Sequence, residues 1–243
     1  MHAAAVIVAA GSSSRMGGKV RKPYLKLRGK PILAWTLASL GRVSGLRQIV
    51  LVTRPEDRRR AQGVVRQARL PKRVTVTFAD GGARRQDSVY NGLSATNADA
   101  DVVLIHDAAR PFARRETMEA ACGEALRVGG AILACRVKDT VKREAAPLRA
   151  NDGEQPPRIE TTVPRVGLWL AQTPQIFRRA LILELFEKLN AQSPAPEVTD
   201  DASICEILGQ PVVLVDSSET NFKVTRPEDL AIAEAYIRAK LVK

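Results

Sequence analysis

Strand and helix patterns alternate along this chain, and the alternation predicts a doubly wound α/β domain on a mostly parallel sheet. Most of the apolar runs lack in/out alternation, which marks strands covered on both faces. The composition fits one large core. The chain has 243 residues, 45% hydrophobic and 26% charged, and a chain of that size needs no disulfide or metal staple. A single domain over 1–243 is expected.

The elements follow in order. Residues 3–9 form an apolar run like that of a secretory leader. However, no Lys or Arg precedes it and Gly11-Ser12-Ser13-Ser14-Arg15 follows closely, so it reads as a buried first strand. Further strands are expected at 48–53, 74–79, 101–105 and 131–135, and of these only 74–79 departs from a continuous apolar run. Helices are expected between them at 31–40, 55–68, 86–95 and 115–128. The rhythm breaks over 136–165, a polar stretch with the turn signal Asn151-Asp152-Gly153. Runs 137–141 and 159–163 are expected to pair there as a protruding β-hairpin arm, an insertion or interface element. Helices at 178–189 and 201–208, a strand at 212–215 and a last helix from Pro227 complete the chain. The pentapeptide Thr-Arg-Pro-Glu-Asp occurs at 53–57 and again at 225–229; Pro followed by acids starts a helix well. No apolar stretch approaches the roughly 18–20 residues of a membrane span, so no membrane partner is expected.

Charge and rare residues narrow the chemistry. Net charge is +12, and residues 1–75 hold 17 basic side chains against two acidic ones, Glu56 and Asp57. The excess fits a polyanionic partner or a plain solubility preference. Aromatics at 4% leave few platforms for base stacking, which argues against a nucleic-acid binder. Three cysteines (Cys122, Cys135, Cys205) form no C-x-x-C, and His2 and His106 are the two histidines. The pattern argues against a disulfide framework and a Cys-type zinc site, two histidines exclude a multi-His metal site, and a reducing cytoplasm fits.

Three segments can carry chemistry. The first strand runs into Ala9-Ala10-Gly11 and a small-residue loop with Arg15, Lys19, Arg21 and Lys22. It is neither a P-loop nor a G-x-G-x-x-G, but small residues at a parallel strand's carboxyl end admit phosphates. The fourth strand ends in His106-Asp107-Ala108-Ala109-Arg110. Asp107 either caps the next turn or faces the same crevice, where a carboxylate suits Mg²⁺; His106 reads as a packed histidine. Asp80-Gly81-Gly82-Ala83-Arg84-Arg85-Gln86-Asp87-Ser88 is either a helix lead-in or a loop that lets a flat base approach.

Taken together, the segments A-A-G-S-S-S-R-M-G (9–17), K-P-Y-L (22–25), D-G-G-x-x-R-x-D-S-V (80–89), H-D-A-A-R-P (106–111), R-V-G-L-W-x-A-Q-T-P-Q-x-F (165–177), T-D-D-A-S (199–203) and K-V-T-R-P-E-D-L (223–230) resemble the 2-C-methyl-D-erythritol 4-phosphate cytidylyltransferases of the non-mevalonate isoprenoid pathway. The resemblance covers nearly the whole chain. It implies a Rossmann-like nucleotidyltransferase fold and transfer of CMP from CTP to a sugar-alcohol phosphate with Mg²⁺ as cofactor. It also implies roles. Arg15 and Lys22 stabilise charge on the α-phosphate and leaving group. Ala9, Ala10, Gly11, Gly82, Ala83, Ser88 and Ala108 bind the nucleotide, and Asp107 lies near the metal and the acceptor. Arg110, Thr173 and Thr199 contact the acceptor, and Arg165 and Lys223 orient its phosphate. The arm over 136–165 clasps a second subunit in a homodimer, with Arg165 serving either site. Two departures stand out: Ser13 replaces a frequent Gly, and Ala83 replaces a frequent Asp. A sister enzyme acting on ribitol 5-phosphate or another polyol phosphate is the alternative.

Overall fold

The computed structural model describes residues 1–11, 20–145, 156–194 and 196–241. In chain order the strands are β1 (Ala3–Val8), β2 (Lys26–Leu27), β3 (Lys30–Pro31), β4 (Leu46–Thr53), β5 (Thr75–Asp80), β6 (Val102–Asp107), β7 (Gly130–Arg136), β8 (Val141–Glu144), β9 (Ile159–Val163), β10 (Trp169–Arg178) and β11 (Val213–Asp216). The helices are α1 (Ile32–Leu40), α2 (Arg58–Ala68), α3 (Arg85–Ser94), α4 (Arg115–Val128), α5 (Arg179–Asn190), α6 (Ala202–Ile207) and α7 (Pro227–Arg238).

Seven strands form one sheet in the order β11-β7-β10-β6-β1-β4-β5. All neighbours are parallel except β10, which runs antiparallel to both β6 and β7. Apolar residues fill both faces. Ile7, Leu51 and Leu104 join Leu33, Leu37, Val64 and Met118 from α1, α2 and α4. Val6, Val50, Val103 and Ile105 join Val89, Leu93, Ile182, Phe186 and Ile204 from α3, α5 and α6. Strands covered on both sides have no polar face to present, which explains the continuous apolar runs of β1, β4, β6 and β7. β5 alternates because it is the sheet edge.

Two expectations need correction. The segment 166–177 carries no strand in the sequence reading, yet β10 lies between β6 and β7. It holds buried Gln172, Thr173 and Gln175 and a proline, features that argue against a central strand. Pro174 is tolerated because it falls in the irregularity between Ala171 and Gln175, where the ladder to β7 breaks register. The arm also starts later than expected: of the run 137–141 only Val141 pairs with β9, as the first residue of β8. Its Lys142, Arg143 and Glu144 are exposed and give no apolar signal. The turn signal at 151–153 lies outside the described residues.

Topology places the site. β1 and β6 are neighbours from which the chain winds in opposite directions, toward β4 and β5 on one side and toward β10, β7 and β11 on the other. Ligands bind beyond the carboxyl ends of strands at such a switch point.

Candidate active site

A cleft of about 740 Å³ opens at that point, lined by the strand ends of β1 and β6, the turn after β5, Lys22, Arg54, Arg84, Arg85 and Lys223. One wall is mainly backbone. Ala9 N–H donates to Val52 O at 2.8 Å, and Gly81 N–H to Thr53 O at 3.0 Å. Arg54 Nε donates to Ala10 O at 2.9 Å and holds the loop after β1. A Cβ on Gly81 would stand 2.4 Å from the Ala10 Cβ, so this glycine lets the loops after β1 and β5 meet, and one on Gly82 would stand 2.4 Å from the Asp87 Cβ, so that glycine lets the turn fold onto the start of α3. Gly82 N–H donates to the Ser88 hydroxyl at 2.9 Å, so buried Ser88 shapes the turn from beneath.

A second part of the lining is built from charge. Lys223 Nζ stands 2.9 Å from Asp107 Oδ2, and Arg110 Nε stands 3.4 Å from the same oxygen. Burial works against the Asp107 carboxylate, but Lys223, Arg85 and Arg110 outweigh it and hold the group well below the usual carboxylate range. Arg110 is itself fixed by donating from Nη1 to Asn221 O at 2.8 Å.

Beneath Asp107 lies fully buried His106. Its Nε2 is 3.0 Å from Arg110 O and its Nδ1 is 2.8 Å from the Thr173 hydroxyl. A carbonyl only accepts, so Nε2 carries the proton and Nδ1 accepts from Thr173. The Thr173 oxygen in turn accepts from Asp107 N–H at 3.1 Å. Burial pushes the His106 pKa down to about 4, with Asp107 only partly opposing, so the ring stays neutral and works as a strut. Burial likewise pushes the Cys122 and Cys205 thiols up to about 12, so neither supplies a nucleophile at neutral pH.

Ten expected site residues line the cleft: Ala9, Ala10, Gly11, Lys22, Gly82, Ala83, Ser88, Asp107, Ala108 and Lys223. Arg110 and Thr173 sit behind Asp107 rather than on the lining. Exposed Thr199 pairs with Ser203, their hydroxyl oxygens 3.2 Å apart. Arg165 lies at the root of the arm, where Nη1 donates to Lys138 O, away from its own chain's cleft lining. Arg15 and Ser13 lie outside the described residues. Among the described residues, no group of three or more His, Cys, Asp or Glu converges to hold a metal. The ionised Asp107 carboxylate suits a cation that arrives on phosphate oxygens, since Mg²⁺ commonly binds through one or two carboxylates plus substrate phosphates.

A family model for 2-C-methyl-D-erythritol 4-phosphate cytidylyltransferase matches residues 3–239. The chain belongs to that family. The cytidylyltransferase of Desulforamulus reducens is 41% identical over 236 residues, 97% of this chain and 96% of its own. That of Geobacillus kaustophilus is 39% identical over 243 residues, 100% of both chains. Among solved structures, the 4-diphosphocytidyl-2C-methyl-D-erythritol synthase of Anaerococcus prevotii aligns with a TM-score of 0.80 at 29% identity over 98% of this chain and 96% of that one. The cytidylyltransferase of Thermus thermophilus aligns at 0.73 with 34% identity, over 98% and 100%. The ribitol-phosphate alternative finds no support in these relatives.

Sequence reasoning about this cytidylyltransferase missed Arg54, Arg85 and Asp201. Arg54 looked like part of a helix start, and Arg85 and Asp201 stood in quoted motifs without a role. Asp201 is buried, with Arg85 donating to both of its oxygens at 3.0 and 2.8 Å. Burial works against the Arg85 cation, but Asp201 outweighs it and holds the guanidinium above its ordinary range. The signal was available: an acid in T-D-D-A-S and an arginine in D-G-G-x-x-R are natural partners, but 116 residues separate them.

Proposed function

We propose that the cleft transfers CMP from CTP to the phosphate of 2-C-methyl-D-erythritol 4-phosphate, in isoprenoid precursor synthesis. An acceptor phosphate oxygen attacks the α-phosphorus of CTP. The bond from that phosphorus to the bridging oxygen breaks, and pyrophosphate leaves with the electron pair. The product is 4-diphosphocytidyl-2-C-methyl-D-erythritol. One observation carries the reading: strand-end backbone fit for a nucleotide and charged side chains fit for a phosphorylated acceptor line one cleft.

The residues divide accordingly. The backbone of Ala9, Ala10 and Gly11 holds the nucleotide with Gly82, Ala83, Ser88 and Ala108. Lys22, together with Arg15, stabilises the charge that grows on the α-phosphate and leaving group. Lys223 receives the acceptor phosphate, Thr199 contacts the acceptor's polyol, and Arg110 and Thr173 act through Asp107. Asp107 would hold Mg²⁺ together with the CTP phosphates, and the ion would supply charge neutralisation. Arg165 serves the site of a second copy in a homodimer clasped by the 136–165 arm. Ile159, Val166 and Leu170, exposed at 66%, 94% and 58%, give that clasp its apolar surface. The proposed reaction uses neither nucleic acid nor a membrane. No helix among the described residues is long and apolar enough to cross a membrane. The three free thiols suit the cytoplasm.

The test is pyrophosphate release from CTP and Mg²⁺ with methylerythritol phosphate, ribitol 5-phosphate or no acceptor. Release only with the methylerythritol substrate is expected. Release only with ribitol phosphate would move the reaction to another pathway, and CTP binding without release would end the transferase reading.

A further inference from the structure

The first turn of α3 grips a segment far away in sequence. Besides the two bonds from Arg85 to Asp201, Gln86 Nε2 donates to Pro196 O at 3.0 Å, and Gln86 Oε1 accepts from Val198 N–H at 3.1 Å. From the other side, Gln175 Oε1 accepts from Asp201 N–H at 2.9 Å and Ala202 N–H at 3.0 Å, while Nε2 donates to Asp200 Oδ2 at 2.7 Å. Gln86, Gln175 and Asp201 are 3%, 1% and 0% exposed. Buried polar side chains whose hydrogen bonds are all met in this way fix a single geometry. The gripped segment includes Thr199. The gripping turn follows directly on Gly82 and Ala83 of the backbone wall, and Arg85 itself lines the cleft.

We propose that Arg85 is a positioning residue that sets the acceptor side of the cleft from the nucleotide side. Its planar fork seats Asp201, and through Asp201 it seats Thr199 at a fixed distance from the nucleotide loop. A lysine keeps the charge but not the fork. The inference rests on the transferase reading and deepens it, because Thr199 matters here only as an acceptor contact.

The experiment uses the full chain, after the wild type has released pyrophosphate with methylerythritol phosphate; without that release the transferase reading fails before this inference is reached. Steady-state constants for both substrates, and CTP affinity by titration, are measured for Arg85→Lys, Asp201→Asn, the double variant and Gln86→Ala. Melting with and without CTP checks that each variant is folded. For Arg85→Lys and Asp201→Asn the acceptor KM is expected to rise about 10- to 100-fold, as misplacement by an ångström does, while CTP affinity changes by less than about twofold. The double variant is expected to be no worse than the poorer single one, because the pair acts as a unit. Gln86→Ala is expected to show the same split with a smaller rise. An unchanged acceptor KM, an equal loss of CTP affinity, or additive single effects would each overturn the assignment.

Discussion

The same five residues occur twice in this chain, and the two copies do different things. At 53–57, Thr53 closes β4, Arg54 reaches across to Ala10 O, and Pro55–Asp57 form a short 3-10 turn ahead of α2. Glu56 and Asp57 both accept from Arg21, the first at 2.9 Å, which anchors the turn that presents Lys22. At 225–229 the helix starts at Pro227 itself, and Asp229 turns back on its own chain. Its Oδ2 accepts from Thr225 N–H, the Thr225 hydroxyl and Arg226 N–H at 2.6, 2.8 and 2.8 Å. The pentapeptide supplies a helix start in both places, through a fixed proline φ and acids near the helix's positive end. Where the acids point is decided by neighbours. A basic partner stands beside the first copy, and the backbone of its own first turn beside the second. The first copy is therefore part of the cleft wall, and the second a cap that sets down α7 just after Lys223.

Perturbations sharpen this contrast. The largest effect is expected at the residue the first copy helps to present. Lys22→Ala should lower kcat on the order of 100- to 1000-fold, as removal of a charge-stabilising donor does, with KM values little changed; an unchanged kcat in steady-state assays would remove Lys22 from the chemistry. Next, Glu56→Gln with Asp57→Asn frees Arg21 and should cost about tenfold in kcat by loosening that turn. Arg54→Lys loses the bond to Ala10 O and should raise the CTP KM about threefold, the worth of one net hydrogen bond, without touching the acceptor KM. The smallest effect belongs to the second copy. Asp229→Asn should cost about 1 kcal/mol of stability, a typical cap loss, and leave all kinetic constants alone. Burial opposes the Asp229 charge, but the bonds from Thr225 and Arg226 outweigh it and hold its pKa below the ordinary value. Its stabilisation is complete above the unfolded carboxylate pKa, about 3.9, and is lost as pH falls through the lower folded value. Urea unfolding curves of wild type and Asp229→Asn should therefore differ at pH 7 and converge in acid.

The parallel half of the sheet was legible because burial on both faces writes itself as uninterrupted apolar residues. β1, β4, β6 and β7 all carry that mark. β10 was not legible. Its Gln172, Thr173 and Gln175 are buried to serve partners far off in sequence: Asn221, His106 and the Asp201–Ala202 backbone. No local pattern distinguishes a polar residue that will find such partners from one in a loop. The site divides along the same line. Ala9, Gly11, Gly82 and Asp107 follow from strand ends and small residues. The Arg85–Asp201 pair and the His106–Thr173 strut depend on long-range pairing. Lys223 was found through the family motif, since its isolated charge looks like any solvated lysine.

The central claim is that one wall of the cleft binds CTP by shape and the other binds the acceptor by charge. Lys223→Ala tests it most directly, with CTP affinity measured by titration and acceptor use by pyrophosphate release. The account predicts nearly unchanged CTP affinity beside a loss in kcat/KM for methylerythritol phosphate on the order of 100-fold or more. Loss of CTP affinity with acceptor use intact at saturating CTP would contradict it.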